Sequence, residues 1–372
     1  MIRNKCIFCD SSKLSTFFEK DYTIPVASYT IDVYDEKYIQ IPFNIQCCND
    51  CKTFQTKYLG NLNDIYKNNH CDACGTIRTE MHDRFAELII NNIPNFESLA
   101  EIGAGNGVLS LSILNIKNNI NYNIIDPYYF GIKENRNIIN DYVENVDLNT
   151  INTNIIVMSH VFEHFYDPLT IIKKIAKSQN IEYVCLCFPD LETYIKNNTY
   201  NVLTPEHTYY IENNFLKQIF LKYGFETIIE EKFKEHSIFL IFKKTSILNN
   251  DIIPKNKYSL NDIKNYYDII FKKINKLNNI LSLTNNNIDA YIFPCSIHTL
   301  YLFAFGLKTN YFKSILDNSK HKLNKYLYGY NIICKSFDNF IKNDKKSLVI
   351  LNGGCFNKEL NLNISSNIIY IN

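Results

Sequence analysis

The chain of 372 residues has no tryptophan, three methionines, nine prolines and eleven glycines. Asparagine, isoleucine, lysine and tyrosine fill the gap, a mark of AT-rich coding that says nothing about activity. Asparagine is scattered through every kind of segment, so it loses its usual value as a turn marker. Charge of one sign is missing too. Against 39 Lys and Arg stand 38 Asp and Glu, leaving a formal net charge of +1. That balance argues against a broad electrostatic footprint for nucleic acid or an anionic membrane. Long apolar runs are also lacking. Val184–Pro189 and Tyr301–Phe305 fall far short of the ~20 residues a bilayer span needs. Met1–Cys6 leads into no apolar stretch of the secretory kind. The expectation is a cytoplasmic protein with no nucleic-acid or membrane partner, monomeric or a small homo-oligomer. No internal period marks a solenoid.

What is present is an ordinary core-forming composition, 46% hydrophobic and 21% charged, with length for two or three domains at roughly 150 residues each. Three segments suggest themselves. Residues 1–75 are cysteine-rich with short β-like runs at Tyr29–Val33 and Tyr38–Ile41. Residues 76–245 alternate strand and helix patterns. Helices are expected at Thr79–Asn91, Val108–Ile116, Leu169–Lys177 and Asn213–Lys222. Strands are expected at Leu99–Gly103, Tyr122–Asp126, Ile155–Ser159 and Tyr183–Phe188, with Phe225–Glu230 and Ser237–Phe242 as a closing hairpin. The fully apolar run Tyr183–Phe188 suits a parallel strand covered on both faces. This alternation predicts a doubly wound α/β domain. After a polar break at 244–256 comes a helix, Leu260–Leu283. The alternation then restarts with strands at Ala290–Phe293, Tyr311–Asp317, Asn331–Cys334 and Ser347–Leu351 and a helix at His298–Phe305. Residues 246–372 thus read as a second, smaller α/β unit.

Twelve cysteines in a reducing compartment suggest metal ligands or free thiols before disulfides. Cys185 and Cys187 sit in an apolar run and read as small core residues. Cys6-Ile7-Phe8-Cys9 and Cys48-Asn49-Asp50-Cys51 are different. Each pair puts two thiolates on one tight turn, and two such turns facing each other make a tetrahedral sulfur site for zinc. Cys6, Cys9, Cys48 and Cys51 are the expected ligands. A closed four-sulfur site leaves no position for water, so its role would be structural. Cys71 and Cys74 form a third pair, a competing ligand set that lacks a partner pair.

Glu101-Ile102-Gly103-Ala104-Gly105-Asn106-Gly107 follows an apolar strand and opens a helix. In that context glycines let a ligand approach the backbone closely. A dinucleotide fingerprint would want Gly or Ala where Val108 stands. An acidic residue opening the motif, as Glu101 does, favours S-adenosylmethionine over a dinucleotide, with a plain tight turn as the remaining alternative. Asp126, ending the next strand, is placed for the ribose hydroxyls. Glu101, Gly103, Gly105, Asn106, Gly107, Asp126, Ser159 and His160 are the expected cofactor contacts. Two histidine segments follow later strands, Ser159–Pro168 and Thr204–Tyr210. Both lie at the carboxyl ends of the sheet strands, where open α/β sheets bind ligands. His207 beside Glu206, and His164, can supply acid–base chemistry near neutral pH, against the plain alternative of loop and cap residues.

These segments together resemble the sugar C-methyltransferases that act on nucleotide-linked 4-keto-deoxyhexoses. The resemblance runs nearly end to end. It is carried by Cys6–Cys9, by Pro42–Cys51 with Gln55, by Glu101–Gly107, by Glu163-His164, by Glu206-His207 with Tyr209-Tyr210, and by Tyr223-Gly224-Phe225. In the last segment Ile315–Asn318 and Tyr328-Gly329 add to it. Thr204 stands where that family usually has tyrosine. The resemblance implies a class I (Rossmann-like) methyltransferase domain flanked by a small β-rich zinc domain and a second, smaller Rossmann-like α/β domain. It implies S-adenosylmethionine and zinc as cofactors and a nucleotide-linked sugar as partner. Carbon methylation next to a ketone would run through an enolate, with His207, Glu206 and His164 as catalytic residues. O- or N-methylation of a related sugar, or a catalytically silent member of the fold, are the alternatives.

Overall fold

The computed structural model describes residues 1–19, 21–26, 29–66, 75–197, 206–246, 254–284, 288–341, 346–354, 357, 360 and 368–371. Its centre is a seven-stranded sheet. In spatial order the strands are Phe225–Phe233, Ser237–Lys244, Tyr183–Pro189, Ile155–Ser159, Ser98–Ile102, Asn121–Ile125 and Arg136–Ile139. The last five are parallel to one another, and Ser237–Lys244 runs antiparallel to both its neighbours. This parallel-rich α/β sheet carries the site. Its strands alternate faces with the period of 2 that a pleat imposes. Ile156, Met158 and Ile102 pack in one core, whereas Ile155, Val157 and Leu99 pack in another on the opposite face. Tyr183–Pro189 is buried along its whole length, the outcome expected of an apolar strand between two such cores. Helices Val108–Ile116, Asn213–Lys222 and Leu260–Leu283 have the expected bounds. Asp167 caps helix Pro168–Lys177 by accepting from the Thr170 amide, with proline at the first helical position. Arg136–Ile139 and Ile368–Ile371 are edge strands of four residues, too short for a periodic signal.

The amino-terminal region builds a four-stranded antiparallel sheet, Leu14–Thr16, Ile45–Cys48, Phe54–Thr56 and Tyr209–Tyr210. Its fourth strand therefore comes from within the central sheet's sequence, between Tyr183–Pro189 and Phe225–Phe233. Residues 289–371 contribute a five-stranded parallel sheet in the order Cys334–Ser336, Phe312–Asp317, Asp289–Phe293, Ser347–Leu351, Ile368–Ile371. The helix Leu260–Leu283 lies between the regions. Its apolar stripe, Ile263, Tyr267, Ile270 and Ile274, shares one core with Phe17 and Phe43 on one side and Ile292 and Ile315 on the other. Phe17, Phe18 and Tyr267 meet with ring centroids 4.7–5.0 Å apart, contacts that add to plain area burial. Ser259 starts this helix with a reciprocal capping box with Asp262. Among the described residues no helix is long and apolar enough to cross a membrane. Cys71, Cys74 and Thr204 lie outside the described residues.

Candidate functional site

The glycine loop joins strand Ser98–Ile102 to helix Val108–Ile116. Gly103, Gly105 and Gly107 all have positive φ, at 68°, 57° and 77°, a region costly for residues with a Cβ. The three are not equivalent. A Cβ on Gly103 would lie 2.6 Å from Val161 Cγ2, and one on Gly107 would lie 2.6 Å from the Tyr129 hydroxyl. A Cβ on Gly105 would meet no atom within 4 Å. The outer two glycines thus serve close packing, and the middle one faces open space. Asp126, just past the neighbouring strand, ties down the loop. Its Oδ2 accepts from the Gly105 amide at 2.8 Å and its Oδ1 from the Tyr128 amide at 2.7 Å. Burial holds its carboxyl above the usual range against these two donors. Glu101 is wholly buried in the strand and accepts from the Tyr122 hydroxyl at 2.6 Å. Burial pushes its carboxyl up to about 7, with the Tyr122 bond opposing. Asn106 is half-buried between the glycines.

The two histidine segments meet at the same sheet edge. His160 follows strand Ile155–Ser159 with φ 52°, an uncommon value for a residue other than glycine and the kind found at functional turns. Its Nδ1 lies 3.1 Å from Glu163 Oε1 and its Nε2 2.8 Å from Ser237 Oγ. Burial, chiefly, holds this imidazole well below its usual pKa, so it is neutral. Ser159 Oγ lies 3.1 Å from His82 Nε2. Both residues expected beside the cofactor are thus engaged with protein groups. Next in the chain, Glu163 is 1% exposed at its side chain, and its Oε2 has no hydrogen-bond partner among the described residues. Burial pushes its carboxyl up to about 8. His164 Nδ1 lies 3.1 Å from the Tyr66 hydroxyl. The His164 and His207 rings stand perpendicular with centroids 5.0 Å apart, and His207 Nε2 lies 3.8 Å from Glu163 Oε1. Glu206 is half-buried, and its charge is second only to burial in holding the Tyr66 hydroxyl well above its usual pKa.

Backbone contacts hold the two segments together. The Thr208 amide donates to the Glu163 carbonyl at 2.9 Å, and the Thr208 hydroxyl donates to the Phe165 carbonyl at 2.6 Å. Tyr209 donates to the Phe162 carbonyl. The buried Arg3 guanidinium donates to Tyr166 O at 2.8 Å and also to Thr208 O. Arg3 and Tyr66, both from the amino-terminal region, therefore build the site, and sequence reasoning assigned them no part in it. Glu163 was readable in one respect, since it stands between His160 and His164 in a histidine segment.

The four cysteines of the two knuckles also converge. Cys6 and Cys51 sulfurs lie 3.4 Å apart, Cys9 and Cys48 sulfurs 3.5 Å, and all four lie within 4.8 Å of one another. Sulfurs around a tetrahedral zinc, at ~2.3 Å from the metal, stand about 3.8 Å apart, so the donor set fits. Cys47, adjacent in sequence, sits in the core beside Phe43 and Phe54 instead. In the last segment Asp317 repeats part of the Asp126 geometry. It accepts from the Cys295 amide at 3.1 Å, but Lys322 Nζ also lies 3.3 Å from the same oxygen.

Residues 76–230 match a family model described as a methyltransferase domain. No curated protein matches the chain. Among solved structures, the chain is similar to a putative O-methyltransferase of Nostoc punctiforme PCC 73102, with 13% identity over 45% of this chain and 57% of that one and a TM-score of 0.38. Human N-acetylserotonin methyltransferase in complex with SAM gives 11% identity over 50% and 59%, with a TM-score of 0.37. A riboflavin-derivative dimethyltransferase, RosA of Streptomyces davawensis, gives 12% over 45% and 56%, with a TM-score of 0.37. The chain spans less than two thirds of the length of each, and at such scores none bears on substrate or mechanism. The domain match stands on its own, together with a glycine loop whose middle residue faces open space. The match supports a methyltransferase domain over residues 76–230.

Proposed function

We propose that the whole chain is an S-adenosylmethionine-dependent methyltransferase that methylates a carbon next to the ketone of a nucleotide-linked keto-deoxy sugar. The observation that carries this reading is the meeting, on one sheet edge, of the glycine loop with a partly buried acid–base cluster, Glu163, His164 and His207. Transfer to a hydroxyl or an amine needs a base but no group to stabilise an enolate. Transfer to carbon needs a base and a group to stabilise the enolate, and the cluster offers both kinds of group. In the proposed step the α C–H bond breaks and its proton goes to a base of the Glu206–His207 pair. The electron pair forms the enolate, and its carbon attacks the sulfonium methyl. The C–S bond breaks with its electrons left on sulfur, giving S-adenosylhomocysteine.

Glu101, Gly103, Gly105, Asn106, Gly107 and Asp126 are read as the residues that shape the donor pocket, with Ser159 and His160 supporting its floor. Cys6, Cys9, Cys48 and Cys51 are read as a structural zinc site that holds the amino-terminal sheet, and with it Arg3 and Tyr66, against the reacting edge. Residues 246–372 are read as the second Rossmann-like domain, closing over the nucleotide. The test is product NMR after turnover with ¹³C-methyl-labelled donor and a nucleotide-linked 4-keto-deoxyhexose. A new carbon–carbon coupling to the labelled methyl supports the reading, and an O- or N-methyl signal refutes carbon transfer.

A further inference from the structure

The cluster at the sheet edge has the makings of a second metal centre, distinct from the four cysteines. One donor atom each from Glu163, His164 and His207 lies within 4.8 Å of the others. Two imidazoles and one carboxylate are a ligand set for first-row divalent cations, and three protein ligands leave positions open for water or substrate. The surroundings suit that role. His164 Nδ1 lies 3.1 Å from the Tyr66 hydroxyl. Glu163 Oε1 is met by His160 Nδ1 at 3.1 Å, and His160 is itself fixed by Ser237. Partners of this kind orient ligands and set their tautomers. Glu163 is almost wholly buried with Oε2 unsatisfied among the described residues. A buried carboxyl oxygen without a partner is costly, and a bound cation would satisfy it and favour the ionised form. His207 keeps 16% of its side chain exposed, which provides an approach from solvent.

We propose that Glu163, His164 and His207 bind a divalent first-row cation. Its open positions take oxygen atoms of the acceptor, and in the keto-sugar reading these include the ketone oxygen. The cation then stabilises the enolate charge, and His207 is a ligand. The α proton passes to Glu206, the carboxylate beside it. The bound oxygen, the enolate and the path of its proton rest on the proposed function, whereas the cation site stands on the side chains alone.

The probe is Mn²⁺ alone, added to the purified full-length protein with its cysteine site undisturbed. Manganese favours carboxylate and imidazole and does not compete for a thiolate site. Free Mn²⁺ is followed by electron paramagnetic resonance. The expected result is one bound Mn²⁺ per chain, weakened at least ~100-fold in Glu163→Gln, more than the 10–100-fold that loss of a mere orienting partner costs. His207→Ala should do the same, and serves if Glu163→Gln fails to fold. Glu206→Gln should keep the site. No stoichiometric Mn²⁺ binding, equal binding in Glu163→Gln and His207→Ala, or loss only in Glu206→Gln would each overturn the proposal. S-adenosylmethionine binding is measured separately without Mn²⁺. Its absence would sink the methyltransferase reading and leave the cation site intact.

Discussion

The three glycines of the loop make a prediction in which stability and ligand binding move in opposite orders. Gly105→Ala introduces a Cβ at φ 57° that touches nothing in the protein. The cost is the left-handed conformation alone, about 1–2 kcal/mol. Gly103→Ala pays the same conformational cost at φ 68° and also drives its Cβ to 2.6 and 2.8 Å from the two Val161 methyls. Turning the Val161 rotamer would still leave its Cβ only 3.3 Å away, so a tight contact persists. Overpacking of this kind adds about 1–3 kcal/mol. Gly103→Ala should therefore be the less stable by about that amount, which urea titration with tryptophan-free near-UV circular dichroism can read. Binding should rank the other way. The space beside Gly105 is the donor's in the proposed pocket, so Gly105→Ala should lose at least ~10-fold in S-adenosylmethionine affinity, about 1.4 kcal/mol. Calorimetry measures this directly. Val161→Ala placed on top of Gly103→Ala should recover part of the lost stability, a coupling that a double-mutant cycle isolates. Wild-type donor affinity in Gly105→Ala, or no stability gap between the two variants, would refute the reasoning.

Three further outcomes are expected. Glu101 has its carboxyl pushed up to about 7 from 4.5 by burial. The folded state thus holds a proton that the unfolded state releases earlier, and stability falls as pH rises from about 4.5 to 7, by about 3 kcal/mol in all. Glu101→Gln keeps an acceptor for Tyr122 and should remove that slope. Denaturant titrations at pH 5 and 8 that change equally in wild type and variant would contradict it. Cys51→Ser should release about one zinc per chain and lower solubility, because structural zinc contributes folding free energy directly. Elemental analysis finding no zinc in carefully prepared wild-type protein would rule the site out. Finally, His207→Ala should slow deuterium exchange at the sugar α carbon by about 10²–10⁴-fold, the range for losing a proton-transfer or enolate-stabilising group, while leaving S-adenosylmethionine affinity near the wild-type value. Exchange at an unchanged rate would remove His207 from enolate formation.

What the sequence determined by itself is what short-range periodicity encodes. Ile155–Ser159, Val108–Ile116 and Ser347–Leu351 have the expected bounds, because a pleat of period 2 or a turn of 3.6 residues is written in neighbouring positions. The Glu101–Gly107 loop was legible for the same reason, since a strand, a run of glycines and a helix are contiguous. The knuckles were legible because thiols at such spacing have few uses. The partners of the histidines were not. His207 was expected to depend on its neighbour Glu206, yet the carboxylate at 3.8 Å is Glu163, 44 positions away. That approach exists because Tyr209–Tyr210 leaves the central domain to pair with Phe54–Gln55 of the amino-terminal sheet, which brings Thr208 against the Glu163 carbonyl. Two residues make a strand too short for any pattern to announce. Arg3 and Tyr66 reach the site by the same route, and helix Leu260–Leu283 joins regions that composition separates. Local propensity chose the elements. Which of them share an edge was decided by long-range pairing and by the burial of faces that no single segment could cover alone.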